Sequence, residues 1–348
     1  MKKEVKLIIL CVTFVLIILG IIFSVNSTIP SENTDNIIIN NNSIQFDSLT
    51  LKQKIAQMII VYGNRDNFEY TNLNVGGIFL DGLDTKDEYK NRIVKYQENS
   101  KIKLIVSTDM EGAWNPFSEF QDFPSLSEIN TSQEAYDVGL SEGELLKELG
   151  FNFNFAPISE FQDLSYGERT FLGSEEEIKE KLQSYILGLQ QNVNGTCKHY
   201  PGKGMINNLH LSTDTQNITA KDLELFEVCF ENNISAIMVG HQIVYGRLDS
   251  LGKPSSVSSE VINHLENFSG LIISDEINML GLSSFYFSKS ERYVELINSG
   301  ENIILDFKVD LNSLLNDLET LTKEGKIDEG QINKSVRKIL IAKGYVLQ

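Results

Sequence analysis

The sequence predicts an α/β fold, a (β/α)8 barrel of the TIM type, preceded by an N-terminal transmembrane helix. Short apolar segments rich in β-forming residues recur along the chain, and amphipathic helical stretches lie between several of them. Strands that alternate with helices form a parallel sheet buried on both faces. The eight segments that we interpret as strands are residues 58–62, 75–80, 103–108, 151–156, 196–200, 236–240, 271–274 and 302–307. Eight such strands predict a closed barrel, and a doubly wound open sheet is the alternative.

Helix signals support this pattern. Thr50 and Gln53 form a capping box at the start of a helix, and Gly150 is a typical C′ residue after residues 144–149. Two further stretches place apolar residues on one helical face. These residues are Ile178, Leu182, Tyr185, Ile186 and Leu189 in the first stretch, and Ile332, Val336, Ile339 and Leu340 in the last.

The first residues of the chain predict a membrane segment. Lys2, Lys3 and Lys6 precede an apolar run at residues 7–23, which is near the length that spans a bilayer as a helix. We therefore divide the chain into an anchor or signal segment (1–26), a polar linker (27–45) and the barrel (46–348). This division predicts a single-pass anchor in the cell membrane with the barrel outside, and a cleaved, secreted form is the alternative.

Charge and cysteine content exclude several classes of function. The net charge of −18 at pH 7 argues against binding to nucleic acid or to anionic lipid. Cys11, Cys197 and Cys229 do not make a disulfide framework, and we expect the last two to be small buried hydrophobic residues. The four histidines form no cluster with cysteine, so the sequence predicts no metal site.

Charged residues collect where the predicted strands end. Because the carboxyl ends of barrel strands carry the active site, these residues are candidates for binding or catalysis. They are Asp109, Lys198, His199, His241 and Asp275, together with Arg169 on the loop after the fourth strand. Structural roles are the alternative at three positions: a helix cap at Asp109, a neighbouring carboxylate as partner of Arg169, and a core histidine at His241.

The motifs at these positions resemble glycoside hydrolase family 3 and, within it, the single-domain bacterial β-N-acetylglucosaminidases. The resemblance rests on Lys198-His199-Tyr200-Pro201-Gly202-x-Gly204 with His210 downstream, and on Ser274-Asp275-Glu276-Ile277-Asn278-Met279. Supporting motifs follow in the family's order: Leu51–Met58, Gly76-Gly77-Ile78, Thr108–Gly112, Phe153–Pro157, Arg169-Thr170-Phe171 and Ser335–Leu340.

This resemblance implies a retaining exo-glycosidase that removes terminal β-linked N-acetylglucosamine from peptidoglycan fragments or related glycans. Asp275 falls on the family nucleophile, which forms a covalent glycosyl-enzyme. The positions implied to bind sugar are Asp109, Arg169, Lys198, His199, His241 and Met279. The resemblance implies no cofactor and no metal, and we expect a monomer that binds only carbohydrate and, through its N-terminal helix, the membrane.

The implied acid/base group departs from the family pattern. His210 falls on the loop histidine of this subgroup, but Asn208 replaces the aspartate that orients it, and the loop is one residue shorter. An amide can accept a hydrogen bond but cannot stabilise an imidazolium by charge, so we expect His210 to be protonated less often near neutral pH. Trp114 and Asn115 stand where the family has Arg and Val after its acidic motif, and Trp114 either stacks on a sugar or packs.

Two alternatives to this function remain at the level of sequence. One is a β-glucosidase-like member of the family, although those enzymes usually carry a further domain. The other is a catalytically weakened barrel that acts as a tethered glycan-binding protein, which the change at Asn208 motivates.

Overall fold

A computed structural model describes residues 37–162, 167–202 and 208–348. Its strands are β1 (Ile39–Asn40), β2 (Ser43–Ile44), β3 (Ile59–Tyr62), β4 (Gly77–Phe79), β5 (Ile105–Thr108), β6 (Phe153–Asn154), β7 (Asn194–Tyr200), β8 (Thr215–Ile218), β9 (Ala236–Val239), β10 (Ile243–Gly246), β11 (Leu271–Glu276), β12 (Ile303–Asp306) and β13 (Val346–Leu347). Its α-helices are α1 (Leu51–Gln57), α2 (Glu69–Asn72), α3 (Lys86–Glu98), α4 (Ser132–Leu149), α5 (Glu175–Leu189), α6 (Ala220–Glu231), α7 (Ser259–Asn263), α8 (Leu280–Ser283), α9 (Lys289–Ser299), α10 (Leu311–Lys323) and α11 (Glu329–Ala342).

Eight parallel strands close into a barrel in the order β11, β12, β3, β4, β5, β6, β7 and β9. Each of these strands overlaps one of the eight predicted segments, so the prediction of a (β/α)8 barrel is confirmed and the open sheet is wrong. The strands are almost wholly buried, as the side chains of β5, β9 and β12 show throughout their length. A barrel wrapped by helices on its outside buries both faces of each strand in this way.

The predicted helix signals are also present. Thr50 caps α1 and exchanges the two hydrogen bonds of a capping box with Gln53. Helix α4 ends at Gly150, whose φ of 101° lies in the left-handed region that favours glycine. The apolar faces of α5 and α11 are buried, as their spacing predicts.

Two chain segments meet in a small sheet that the sequence analysis did not predict. Strands β1 and β2 form an antiparallel pair, and β13 joins β2 in parallel. Strands β1 and β2 lie within the predicted polar linker, residues 27–45. Ile44 is fully buried, so an apolar residue in a polar stretch pairs with the end of the chain. The predicted anchor, residues 1–26, lies outside the described residues, and among those described no helix combines the length and the apolar character that crossing a bilayer requires.

One prediction about cysteine is wrong. Cys197 in β7 and Cys229 in α6 form a disulfide, with their Cα atoms 6.5 Å apart. Both residues are fully buried, as expected, but they are not free thiols. They are 32 positions apart in sequence, one on a strand and the other on the helix that packs on it. Three cysteines did not indicate a disulfide from the sequence, and only the packing of the helix on the strand brings this pair together.

Candidate active site

A cavity of about 680 Å³ opens at the carboxyl ends of the barrel strands. Parallel barrel strands converge there, so charged residues that follow different strands become neighbours. Eight of the nine residues predicted for the site line this cavity: Asp109, Arg169, Lys198, His199, Asn208, His210, Asp275 and Met279. The ninth, His241, lies behind the lining.

A cluster of ion pairs forms one wall, and Glu111 is at its centre. The Nε and Nη2 atoms of Arg169 donate to the two Glu111 oxygens at 2.6 and 3.0 Å. Lys198 Nζ lies 2.5 Å from Glu111 Oε1 and 2.7 Å from Asp109 Oδ1. The side chains of Glu111 and Lys198 are each 3% exposed, so these two groups are desolvated and depend on their partners for charge compensation.

The charges in this cluster fix its ionisation. Burial would raise the pKa of Glu111, but Lys198 and Arg169 outweigh burial and lower it to about 2. Burial would likewise lower the pKa of Lys198, but Asp109 and Glu111 outweigh it and raise that pKa. Because the folded-state pKa of Glu111 is depressed, its contribution to stability is present above the ordinary value of 4.5 and is lost as the pH falls towards 2.

Glu111 was not among the residues predicted for the site. The structure makes it the shared partner of two basic side chains, Arg169 and Lys198. The loop after β5 is held by Asn154 at the end of β6, whose amide exchanges two hydrogen bonds of 2.9 Å with the backbone of Met110. The signal available in the sequence was a second carboxylate two residues after Asp109.

Asp275 lies near the carboxyl end of β11, at the floor of the cavity. Its side chain is 16% exposed, and its Oδ2 lies 4.0 Å from His199 Nε2. Its Oδ1 accepts a hydrogen bond from the backbone N–H of Glu276 at 2.7 Å. Burial would raise the pKa of Asp275, but the neighbouring charge of His199 and this hydrogen bond contribute to lowering it. The carboxylate is therefore ionised and directed at the cavity.

His241 occupies a different place from the one predicted for it. It is 1% exposed, with Nε2 at 3.1 Å from the carbonyl oxygen of Glu276 and Nδ1 at 2.7 Å from Ser256 Oγ. Burial lowers the pKa of His241, so the ring is neutral, donates from Nε2 and accepts from the Ser256 hydroxyl. This geometry matches the alternative of a core histidine, which here supports the backbone next to Asp275.

The loop that carries His210 is fixed on its C-terminal side. His210 is exposed at the rim of the cavity, and its backbone N–H donates to Asn208 Oδ1 at 2.9 Å. Leu209 is fully buried, and its carbonyl oxygen accepts from Gly281 N at 2.9 Å. Lys203 and Gly204, which belong to the predicted motif, lie outside the described residues.

Aromatic side chains also line the cavity. Phe79 and Phe307 line the cavity with their ring centroids 4.7 Å apart in a stacked arrangement. Trp114 also lines the cavity and is 61% exposed. A largely exposed indole at a cavity mouth has a free face for a ligand, which favours stacking over packing. In the part of the chain that the structure describes, no group of His, Cys, Asp or Glu side chains is arranged to hold a metal ion.

The family pattern described as glycosyl hydrolase family 3 N terminal domain matches residues 50–342. The chain belongs to this family. It is a glycoside hydrolase, and the match spans the whole barrel from α1 to α11.

Individual relatives agree with this assignment. Beta-hexosaminidase LpqI of Mycobacterium bovis (strain BCG / Pasteur 1173P2) is 26% identical over 331 residues, which cover 85% of this chain and 83% of the relative. Beta-N-acetylglucosaminidase/beta-glucosidase of Cellulomonas fimi is 23% identical, and the match covers 84% of this chain and 57% of that protein.

Solved structures share the fold. The structure of M tuberculosis LpqI has a TM-score of 0.78 at 23% identity and covers 86% of this chain and 95% of its own. A glycoside hydrolase family 3 beta-N-acetylglucosaminidase from Paenibacillus sp. str. FPU-7 also has a TM-score of 0.78 at 23% identity, with coverage of 85% of this chain and 62% of that one. At these identities the structural similarity supports the fold of this chain and nothing beyond the fold.

Proposed function

We propose that the chain is a retaining exo-β-N-acetylglucosaminidase that acts through a covalent glycosyl-enzyme. The observation that carries the proposal is the position of Asp275, an ionised carboxylate on the cavity floor opposite His199 and next to the buried cluster of Lys198, Glu111 and Arg169. A retaining glycosidase needs an ionised nucleophile within reach of the anomeric carbon and polar groups that hold the sugar ring.

Each residue then has a defined part in the proposed reaction. Asp275 attacks the anomeric carbon, and the leaving glycosidic oxygen takes a proton from His210. Water afterwards attacks the glycosyl-enzyme, and His210 accepts its proton. The charged groups of Lys198, Arg169 and Asp109 form charge-assisted hydrogen bonds to sugar hydroxyls, which position the ring for attack.

The names of the relatives support the choice of sugar. LpqI of Mycobacterium bovis is named a beta-hexosaminidase, and the Paenibacillus protein is named a beta-N-acetylglucosaminidase. The Cellulomonas fimi relative is named for activity on both β-N-acetylglucosaminides and β-glucosides, which keeps a β-glucosidase-like activity as the second candidate. Peptidoglycan fragments are the proposed natural substrate because they contain β-linked N-acetylglucosamine.

An extracellular position for the barrel is part of the proposal. The disulfide between Cys197 and Cys229 supports it, since disulfides persist in oxidising compartments and are rare in the cytosol. The apolar run at residues 7–23 would supply the membrane anchor, with secretion after cleavage as the alternative. Protease digestion of intact cells tests this position, because the protease cleaves an external barrel and does not reach an internal one.

The test of activity compares the full-length chain with Asp275→Asn. We expect the wild-type chain to release fluorophore from a fluorogenic β-N-acetylglucosaminide, and the variant to lose on the order of 10⁴-fold in kcat, the scale seen when one residue of a covalent catalytic unit is removed. Because the pKa of Asp275 is lowered, the nucleophile stays ionised in weak acid, and the acid limb of the rate profile lies below the ordinary carboxyl range.

Asp310→Asn is the matched control. Asp310 caps α10 through a hydrogen bond to the backbone of Ser313, and asparagine caps equally well, so its activity should equal that of the wild type. Release from a β-glucoside at a comparable rate would favour the second candidate. A folded chain that binds N-acetylglucosamine but hydrolyses neither substrate would contradict the enzyme and leave a glycan-binding barrel.

A further inference from the structure

A buried carboxylate that the proposed reaction does not use lies behind His199. Glu160 is 6% exposed, and its Oε1 lies 3.4 Å from His199 Nδ1. The same oxygen accepts a hydrogen bond from the backbone N–H of His199 at 3.3 Å. A buried carboxylate is costly without partners, and both of these contacts are to one residue of the site.

The barrel backbone fixes this arrangement. Ile158 forms a parallel β-bridge with Lys198, and the N–H of Ser159 donates to the carbonyl oxygen of Lys198 at 2.7 Å. The segment after β6 is therefore tied to β7 just before His199. Glu160, two residues after the bridge, is held beside the imidazole by main-chain hydrogen bonds, not by a mobile loop.

The opposite side of the ring faces the proposed nucleophile. His199 Nε2 lies 4.0 Å from Asp275 Oδ2, so each ring nitrogen faces a carboxylate oxygen. An ionised carboxylate only accepts hydrogen bonds, and an imidazole satisfies acceptors on both sides only when both nitrogens carry protons.

We propose that Glu160 is a positioning residue that keeps a proton on Nδ1 of His199 and thereby directs Nε2–H at Asp275 and the bound sugar. The proposal rests on the proposed function, in which Asp275 is the nucleophile. Glu160 itself does not touch the substrate: it acts by fixing the orientation and protonation of His199, which lines the cavity.

The groups around His199 set the expected direction of the effect. Besides Glu160, the neighbouring titratable groups are Asp275 on β11, Lys198 on the same strand, and the neutral His241 after β9. Burial would raise the pKa of Asp275, and the charge of His199 opposes this effect. Without Glu160 the imidazole loses its second acceptor and holds its proton less firmly. Asp275 then ionises at a higher pH, so the acid limb of kcat/KM moves to higher pH.

The experiment records the ring ¹⁵N signals of histidine in the full-length chain. The chain has four histidines, so substitution of His199 by Gln assigns its signals. We expect both His199 nitrogens to carry protons in the wild type, because each of them faces a carboxylate oxygen. In Glu160→Ala the Nδ1 proton is lost, and kcat falls about 10- to 100-fold with little change in KM, the range found when the outer carboxylate of a metal-bound histidine is removed.

Two further variants keep the test decisive. Glu160→Gln keeps an acceptor oxygen without the charge, so it should fold and shift the ring towards its neutral form at the same pH. Glu142→Gln is the control for substitution of a buried acidic side chain outside the site, since Glu142 is fully buried and bonded to the Tyr185 hydroxyl. This change should alter the melting temperature and leave the His199 signals in place.

The spectra separate this inference from the proposed function. If the wild type hydrolyses no substrate but Glu160→Ala still removes the Nδ1 proton, the positioning role stands and the enzyme assignment fails. If both Glu160 variants leave the His199 signals as in the wild type, the inference is overturned, whatever the activity.

Discussion

Asn208 is the single residue at which this chain departs most from the chemistry that its family resemblance implies. Its Oδ1 accepts the backbone N–H of His210 at 2.9 Å, a contact that shapes the turn leading to the proposed acid. An aspartate in the same place could make this bond with one oxygen and offer the second to the imidazole. Asparagine has one oxygen and no charge, so it orders the loop without stabilising an imidazolium.

Asn208→Asp should therefore increase activity near neutral pH. The added carboxylate favours the protonated form of His210, so the alkaline limb of the kcat profile should move to higher pH. Because a well-placed general acid contributes about 10²- to 10⁴-fold to the rate, recovery of part of this factor is expected at pH 7. Kinetics from pH 4 to 8 measure it. An unchanged alkaline limb would mean that the charge at this position does not reach His210.

The residues of the site were predictable to different degrees. Asp275 and Lys198 lie near the carboxyl ends of β11 and β7, and Asp109 directly follows β5, so their place at the barrel rim could be predicted from sequence. Glu111 and Glu160 could not be selected in the same way, because their importance lies in contacts between different strands. Glu111 joins Arg169 to Lys198, and no spacing along the chain contains that contact.

At the level of elements, the loop that carries His210 depends on its attachment to α8. Leu209 is fully buried and bonded through its carbonyl oxygen to Gly281 N. At Gly281 a Cβ atom would lie 3.0 Å from both Leu209 Cδ2 and His241 Cβ. This close approach of helix and loop favours glycine, and it secures the residue next to the proposed acid.

Leu209→Ala should consequently lower kcat more than it raises KM. Truncation keeps the main-chain hydrogen bond to Gly281 but removes the buried side chain that packs the loop against α8, and the loss of a buried leucine costs about 2–5 kcal/mol of stability. Since misplacement of a catalytic group by about 1 Å can cost 10²-fold, we expect kcat to fall by tens of times. Leu211→Ala, at a side chain that is 74% exposed, is the control and should change neither kcat nor the melting temperature. Equal effects of the two substitutions would argue against an anchoring role.

The elements themselves were mostly predictable from sequence, and the exceptions have physical reasons. The barrel strands are continuous apolar segments, because both faces of each strand are buried. Strands β1, β2 and β13 are two residues each and depend on pairing between the two ends of the described barrel unit. Such short segments have no periodicity of their own, so only the tertiary contact defines them.

For the molecule as a whole, the disulfide joins the strand that carries Lys198 and His199 of the candidate active site to the outer layer of the barrel. Cys197 directly precedes Lys198 and His199 in β7, and Cys229 lies on α6 outside the strand. The bond closes a loop that contains the proposed acid, His210. In the unfolded chain, the bond therefore keeps the two ends of this loop, Cys197 and Cys229, close together.

The double variant Cys197→Ala/Cys229→Ala should be markedly less stable than the wild type. The partners are 32 residues apart in sequence, and for a loop of this length the restriction of the unfolded chain corresponds to roughly 3.5 kcal/mol. Urea unfolding with and without a reductant measures the difference. Reductant should lower the midpoint of the wild-type chain towards that of the variant and leave the variant unchanged.

If the oxidised wild type and the variant unfold at the same midpoint, the bond does not stabilise the barrel. A variant that folds less stably but retains kcat would further show that β7 alone, by its pairing with β6 and β9, positions Lys198 and His199.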